Sequence, residues 1–373
     1  MQSIFGGITL FNNVKKRNSL RISLTIAAVI AVVVIILLIS NKTKNIDVHL
    51  FYHTYSDVYP STVRAAADKY LDGFGISHQN YDGSGNQTTQ TEQILSTLSR
   101  NPRVIVVNQV DSSSDNASDL ITKAASLHDT YVIFFNREVT DEAINSYDKA
   151  VFIGSKVEEA GIMQGKMIGE YLLKHYEEAD LNHDGKISYI LFKGQEGNAE
   201  ANARTKYSVE TANEILTSAG YPELEFYDPS NPNKYILDQN GAWSASAANE
   251  YMASALIKYC DANHNMIELV ISNNDNMAEG AISALNKVGY NTGKNDKYIP
   301  VYGVDATESA KVLIHSGRMT GTVLQDADKT GLTIAQICDN VLNGREMLDG
   351  LDDIPIDDNC KKLRIHYAEY TEN

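Results

Sequence analysis

Three cysteines, one tryptophan and seven prolines are few for a chain of 373 residues. Three thiols, Cys260, Cys338 and Cys360, cannot build a disulfide framework; at most one pair could form, and their spacing does not choose it. No Cys/His spacing of a zinc site occurs. A G-x-S-x-G elbow, a Walker loop and a zincin helix are missing too, which removes the commonest signatures of hydrolases, nucleotidases and metalloproteases. Acid is absent from the first 44 residues, where six bases stand: Lys15, Lys16, Arg17, Arg21, Lys42 and Lys44. The remainder holds 26 bases against 48 acids, a net charge of −22. Phosphate contacts need clustered cations, so a nucleic-acid surface is excluded there.

What is present begins with the apolar run 22–39, "ISLTIAAVIAVVVIILLI". As a helix it spans about 27 Å, close to the ~30 Å hydrocarbon core of a bilayer. The bases before it keep residues 1–21 in the cytoplasm by the positive-inside rule. The reading is an uncleaved single-pass anchor, a linker over 40–45, and the remainder of the chain outside the cytoplasm. A cleaved signal peptide is the rival. Against it stand the length of the run and the lack of a small-x-small cleavage site in "ISNKTKN".

From residue 46 onward, Val/Ile-rich runs alternate with helical stretches: "IDVHLFYH", "RVIVVNQV", "YVIFFN", "AVFIGS", "ISYILFKG", "MIELVISNN", "YIPVYGVD" and "MTGTVLQD". Unbroken runs suit parallel strands buried on both faces, and the alternation predicts α/β doubly wound sheets. The length exceeds one sheet, so two lobes are expected. Asp57, Asn136, Asn274 and Asp305 follow strand ends, where open α/β sheets bind ligands. Asp and Asn also cap the helices that follow strands, so either role fits each residue singly. Trp243, the only tryptophan, stands in "NGAWSAS" among small polar residues.

The stretch "DLNHDGKIS", 180–188, reads as the first part of an EF-hand loop, with Asp180, Asn182 and Asp184 at alternate positions and Gly185 at the turn. The twelfth position is Leu191 rather than Glu. It falls within "ISYILFKG", a β-branched and aromatic stretch that suits a strand, so a closing carboxylate has to come from elsewhere. Glu268, between Ile267 and Leu269 at the head of the next strand, is an odd place for an exposed acid. An Asp/Asn-rich turn without metal is the alternative.

Together with "ANARTKY", "VISNNDNMAEGAISAL", "PVYGVDA" and "SGRMTGTVLQDAD", these stretches resemble the bacterial periplasmic D-galactose/D-glucose-binding proteins over roughly residues 46–370, in order. The resemblance implies two α/β lobes of the type I periplasmic binding protein fold joined by a hinge. The N-lobe would comprise 46–155 plus 326–362, and the C-lobe 156–325 plus 363–373. It implies a monomer that traps one hexose and delivers it to an ABC permease or a chemoreceptor. Position by position, the sugar contacts fall on Asp57, Tyr59, Asn136, Arg204, Trp243, Asn274 and Asp305. Three positions depart: Asn198 replaces a His, Glu200 an Asp, and Gln325 an Asn. The resemblance also implies structural Ca²⁺, with Asp180, Asn182, Asp184, the Lys186 carbonyl, Ser188 (a Gln in the family) and Glu268 as oxygen ligands, a hard set suited to that ion.

The residue types fit a sugar. Planar Asp, Asn and Arg groups can meet adjacent hydroxyls bidentately, and an aromatic wall suits the C–H face of the ring. Acids facing each other across a cleft could serve a glycosidase. Amides and an Arg around them are expected to hold them ionised, which makes poor general acids and argues against an enzyme. Repressors of related fold need a DNA-binding helix-turn-helix in front, where this chain has its apolar run. The alternative function is a tethered sugar sensor that passes ligand state to a membrane histidine kinase or chemoreceptor, since 21 cytoplasmic residues cannot form a signalling domain.

Overall fold

The computed structural model describes residues 46–112, 115–293 and 297–372. The proposed anchor over 22–39 lies outside them. Among the described residues, no helix is long and apolar enough to cross a membrane.

Four apolar runs, one polar edge strand and their connections build most of a first lobe. Strands β1 (Val48–Tyr52), β2 (His78–Asp82), β3 (Val104–Val107), β4 (Tyr131–Phe135) and β5 (Ala150–Gly154) alternate with helices α1 (Val58–Gly73), α2 (Gln87–Leu98), α3 (Asp115–Leu127) and α4 (Asp141–Asn145). Helix α10 (Ala327–Leu342) and strand β12 (Lys362–Arg364) return to this lobe late in the chain. The sheet order is β12-β5-β4-β3-β1-β2, all parallel. Strands β1, β3 and β5 are buried at every residue, because helices cover both faces and leave no side for polar alternation.

The second lobe contains β6 (Ser188–Lys193), β7 (Glu225–Phe226), β8 (Ile236–Leu237), β9 (Leu269–Ser272), β10 (Val301–Asp305), β11 (Gly321–Leu324) and β13 (Ala368–Thr371). Its helices are α5 (Val157–Ala179), α6 (Ala199–Ser218), α7 (Ala245–Lys258), α8 (Asp275–Lys287) and α9 (Glu308–His315). The order is β13-β11-β10-β9-β6-β7, with β8 on β6 and only β13 antiparallel. A stripe of Gly161, Gly165 and Gly169 on α5 fixes where α6 sits: a Cβ on them would come within 2.7 Å of Ala203 O, 2.6 Å of Ser208 O and 2.9 Å of the Ile215 side chain. Only bare backbone lets the two helices approach so closely.

The chain passes between the lobes three times, between β5 and α5, between β11 and α10, and between β12 and β13. One boundary differs from the sequence reading. Leu363 and Arg364 stay in the first sheet, paired with Ile153 and Gly154, so the third crossing begins at Ile365 rather than at 363. The ladder decides this, since each parallel pair continues the register set by Lys362 and Phe152. Ion pairs reinforce the turn. Arg364 Nη1 and Lys362 Nζ each lie 2.7 Å from a Glu138 oxygen, and Arg364 Nη2 lies 2.7 Å from Asp357 Oδ2.

Candidate ligand-binding site

All ten residues assigned from sequence to a ligand line a single cavity. They are Asp57, Tyr59, Asn136, Asn198, Glu200, Arg204, Trp243, Asn274, Asp305 and Gln325, joined by Pro60 and Arg137, which the sequence reading missed. Asp57, Tyr59 and Asn136 come from the first lobe, beyond the carboxyl ends of β1 and β4. Most of the others come after β6, β9 and β10 of the second. Of the four residues that could equally have been helix caps, only Asn274 caps through its side chain, accepting from Met277 N–H at 3.0 Å. It lines the cavity as well, and its Nδ2 donates to the Trp243 carbonyl at 3.3 Å.

Three cavity residues hold a backbone that L-residues avoid: Asn136 at φ +65°, Trp243 at +55° and Asp305 at +124°. Such conformations cost of order 1–3 kcal/mol each and persist only where the surroundings impose them. Trp243 shows how. It is 6% exposed, and its ring lies on Gly194 at the exit of β6, where a Cβ would come within 2.1 Å of the indole. Arg204 stands 5.8 Å from the ring centre. Its Nη1 donates to Asn273 O at 2.8 Å and its Nη2 to Tyr367 Oη at 3.0 Å, so a residue of the third crossing orients it. Burial opposes its charge, but Tyr367, Asp305 and Glu200 outweigh that and keep it cationic.

Three buried polar atoms of cavity residues have no hydrogen-bond partner: Glu200 Oε2, Arg204 Nε and Trp243 Nε1. Unpaired buried groups are costly and mark places where something else binds. Here they comprise one acceptor and two donors.

The carboxylates behave differently from the sequence expectation. Burial pushes Asp305 well above the usual range, with Asp275 and Asp57 adding to it against Arg204, and burial also raises Glu200. Only Asp57 is held low: burial works against it, but the hydrogen bond and charge of His53, with Arg137, prevail. Amides and an Arg do not offset burial at all three, because desolvation is the larger effect on Asp305 and Glu200.

Beneath the cavity lies a relay that the sequence did not disclose. His53 Nε2 is 3.3 Å from Asp57 Oδ2, and its Nδ1 is 2.6 Å from Asn108 Oδ1. Asn108 Nδ2 donates to Asn136 Oδ1 at 3.1 Å. Two cavity residues are thereby tied through His53 and Asn108. Arg137 donates to Val110 O at 2.7 Å and closes the same corner. On the other lobe, Asp275 is fully buried under the Asp305 turn, accepting from Thr322 Oγ1 at 2.6 Å and from Thr307 N–H at 2.8 Å.

Burial pushes the Asp275 carboxyl up to about 7, against those two bonds. A carboxyl whose pKa is higher folded than unfolded holds its proton more tightly in the native state. Its contribution is therefore most favourable below about pH 4 and is lost as the pH rises towards 7. Asp275→Asn is expected to be clearly less stable than the parent at about pH 5, with the gap narrowing by about pH 7.5. Urea midpoints measured across that range test this; a gap that widens with pH contradicts it.

The loop 180–188 joins α5 to β6. Asp180 accepts from Asp184 N–H at 3.1 Å and Gly185 N–H at 2.9 Å, and Asn182 Oδ1 accepts from Asp184 N–H at 2.9 Å. Leu191 is buried within β6 and cannot serve the loop. Glu268 reaches it instead: Oε1 accepts from Asn182 N–H at 3.2 Å and Oε2 from Ser188 N–H at 2.8 Å. It is fully buried with no cationic partner, and burial, with the Asp180 charge, pushes it up to about 7. Ser188 turns its hydroxyl to the Met266 carbonyl, and the Lys186 ammonium pairs with Glu225 at 2.8 Å. Among the described residues, no three His, Cys, Asp or Glu side chains converge closely enough to form a metal site by themselves.

Residues 48–346 match the family described as Periplasmic binding protein domain. The chain is 33% identical over 299 residues to the D-galactose/methyl-galactoside binding periplasmic protein of Haemophilus influenzae, covering 80% of this chain and 82% of that protein. It is 26% identical over 279 residues to the D-xylose-binding periplasmic protein of Escherichia coli, covering 73% and 72%. Among solved structures, an ABC transporter solute binding protein from Bacillus halodurans with bound myo-inositol aligns with a TM-score of 0.65 at 22% identity, over 87% of this chain and 93% of that one. One from Actinobacillus succinogenes with bound D-allose gives 0.65 at 18% identity, over 87% and 96%. At those identities the structural likeness speaks for the fold.

Proposed function

The chain belongs to the periplasmic binding protein family, whose members bind solutes rather than transform them, and on that premise we propose that it captures one monosaccharide between its lobes outside the cytoplasm and hands it to an ABC permease. The observation that carries this reading is the set of unpaired atoms on one cavity: an acceptor, Glu200 Oε2, with two donors, Arg204 Nε and Trp243 Nε1. A ligand that satisfies all three must donate and accept through neighbouring groups, as the hydroxyls of a polyol do. The indole face supplies the apolar wall that a sugar ring's C–H face requires. A hexose of galactose or glucose type is the leading candidate, since the Haemophilus influenzae relative is named for galactose.

Capture proceeds by closure. Asp57 and Asn136 stand on one lobe and Arg204 and Trp243 on the other, so a sugar meets both sets only when the lobes approach. An anchor over 22–39 would keep the binding domain beside its permease. Calcium belongs to the same proposal: Asp180, Asn182, Asp184, the Lys186 carbonyl, Ser188 and Glu268 form a mixed oxygen set around a loop whose deepest carboxylate lacks a counter-charge.

Calorimetry with a panel of hexoses and pentoses tests the sugar reading. One sugar is expected to bind per chain with affinity near micromolar, about −8 kcal/mol. X-ray scattering should then give a smaller radius of gyration at saturation. Absence of heat with every sugar would refute the proposal.

A further inference from the structure

We infer that Asn198 works as a latch between the lobes rather than as a sugar contact, with Glu200 joining latch to ligand. The inference rests on the cleft being the ligand site. Asn198 is the N-cap of α6 in the second lobe and is almost fully buried. Its Oδ1 accepts from Ala201 N–H at 2.8 Å, which completes the cap. Its Nδ2 donates across the cleft to Ser112 Oγ at 3.0 Å, on the first lobe beyond β3. Both ends of the amide are thus engaged by protein.

Two residues along, Glu200 makes the second crossing bond: its Oε1 accepts from the Glu138 backbone N–H at 2.8 Å. Glu138 is itself fixed, because Lys362 and Arg364, at the edge of the third crossing, grip its carboxylate. The donor therefore sits on a first-lobe segment tied to the edge of the third crossing. Only Glu200 keeps an oxygen free of protein partners, Oε2. The two residues thus divide the labour: Asn198 holds the lobes together, and Glu200 holds them with one oxygen while offering the other to the ligand.

A bond between lobes differs in its thermodynamics from a bond to ligand. It raises the closed fraction for every ligand alike, and the apparent dissociation constant scales inversely with that fraction. Breaking the latch should weaken all ligands by one factor and leave their ranking intact. A sugar contact at the same residue would change the ranking.

The test uses Ser112→Ala and Asn198→Ser, the latter because serine keeps the helix cap but is too short to reach Ser112. D-Galactose and D-xylose affinities are measured by calorimetry on the full-length protein in detergent, for each variant and for the double variant. Each single variant is expected to lose about three- to tenfold for both sugars, as for one hydrogen bond, and the double variant to lose no more than either single. Unchanged affinities in Ser112→Ala, or a changed galactose-to-xylose ratio in Asn198→Ser, would overturn the latch. Scattering from ligand-free protein separates this from the sugar reading. If neither sugar binds the parent, the sugar reading falls, while the latch stands on a larger radius of gyration for Ser112→Ala than for the parent and falls on identical curves.

Discussion

Trp243→Ala should lose at least about a hundredfold in sugar affinity, near 3 kcal/mol. Three contributions disappear together. The ring is the apolar wall of the cavity, Nε1 is one of its two unpaired donors, and the indole faces Arg204, whose placement it helps to fix. Alanine also leaves a void above Gly194, where the indole now lies. Large-to-small changes of this kind cost roughly 3–5 kcal/mol of stability in closed cores, and less where the ring borders a cavity. Trp243→Phe separates the parts: it keeps the apolar face, loses the donor, and should cost roughly tenfold. Because Trp243 is the only tryptophan, its fluorescence in the parent reports the cavity alone. Calorimetry then serves for the variants. Binding by Trp243→Ala within about threefold of the parent, less than one ordinary hydrogen bond is worth, would remove the indole from the proposed site.

The second large effect concerns Glu268. Calcium at about a hundred times its dissociation constant should stabilise the protein by about 2.7 kcal/mol through mass action. For a domain of 150–250 residues each kcal/mol moves the melting temperature by roughly 2–4 °C, so the expected rise is about 5–10 °C, reversed by EDTA. Glu268→Gln should abolish it. The substitution keeps the side chain's length and one acceptor for the N–H groups of Asn182 and Ser188, while removing the only charge that reaches the loop from β9. A calcium response equal to the parent's in this variant would show that the loop is not closed by Glu268. No response in the parent would leave the loop as an Asx-rich turn held by its own hydrogen bonds.

The parts of the fold that could be read from sequence are those whose burial leaves no choice. "VIVV", "VIFF" and "LVIS" are enclosed on both faces and announce themselves as strands. Strand β2, "HQNYD", escaped the sequence reading because it is an edge strand with half-buried side chains. The two-residue β7 and β8 are too short to carry a period, and β13 is mostly exposed. Helix α2 begins Gln-Thr-Thr-Gln-Thr and shows little apolar stripe until Ile94. In the site, the residues that face the cavity, Pro60 and Arg137 excepted, were found through their positions after strands and through the family resemblance. Those behind it were not. Asn108 comes after "VIVV" as Asn136 comes after "VIFF", and that shared pattern was the available signal. His53 reaches Asn108, and Asp275 reaches Thr307 and Thr322, all remote in sequence, and the one local pairing, His53 with Asp57 four residues on, has no pattern that marks it.

The backbone at Asn136, Trp243 and Asp305 sets a limit on laboratory evolution of this chain. Glycine adopts positive φ without the Cβ penalty, so selection for heat resistance alone would accept glycine at 136 and 305 as easy gains. Each gain would delete a polar group from the cavity. Libraries screened by melting temperature should therefore drift towards sturdy chains that no longer hold a ligand, the usual conflict between stability and activity. Libraries screened in the presence of sugar should keep all three residues and find their improvements elsewhere.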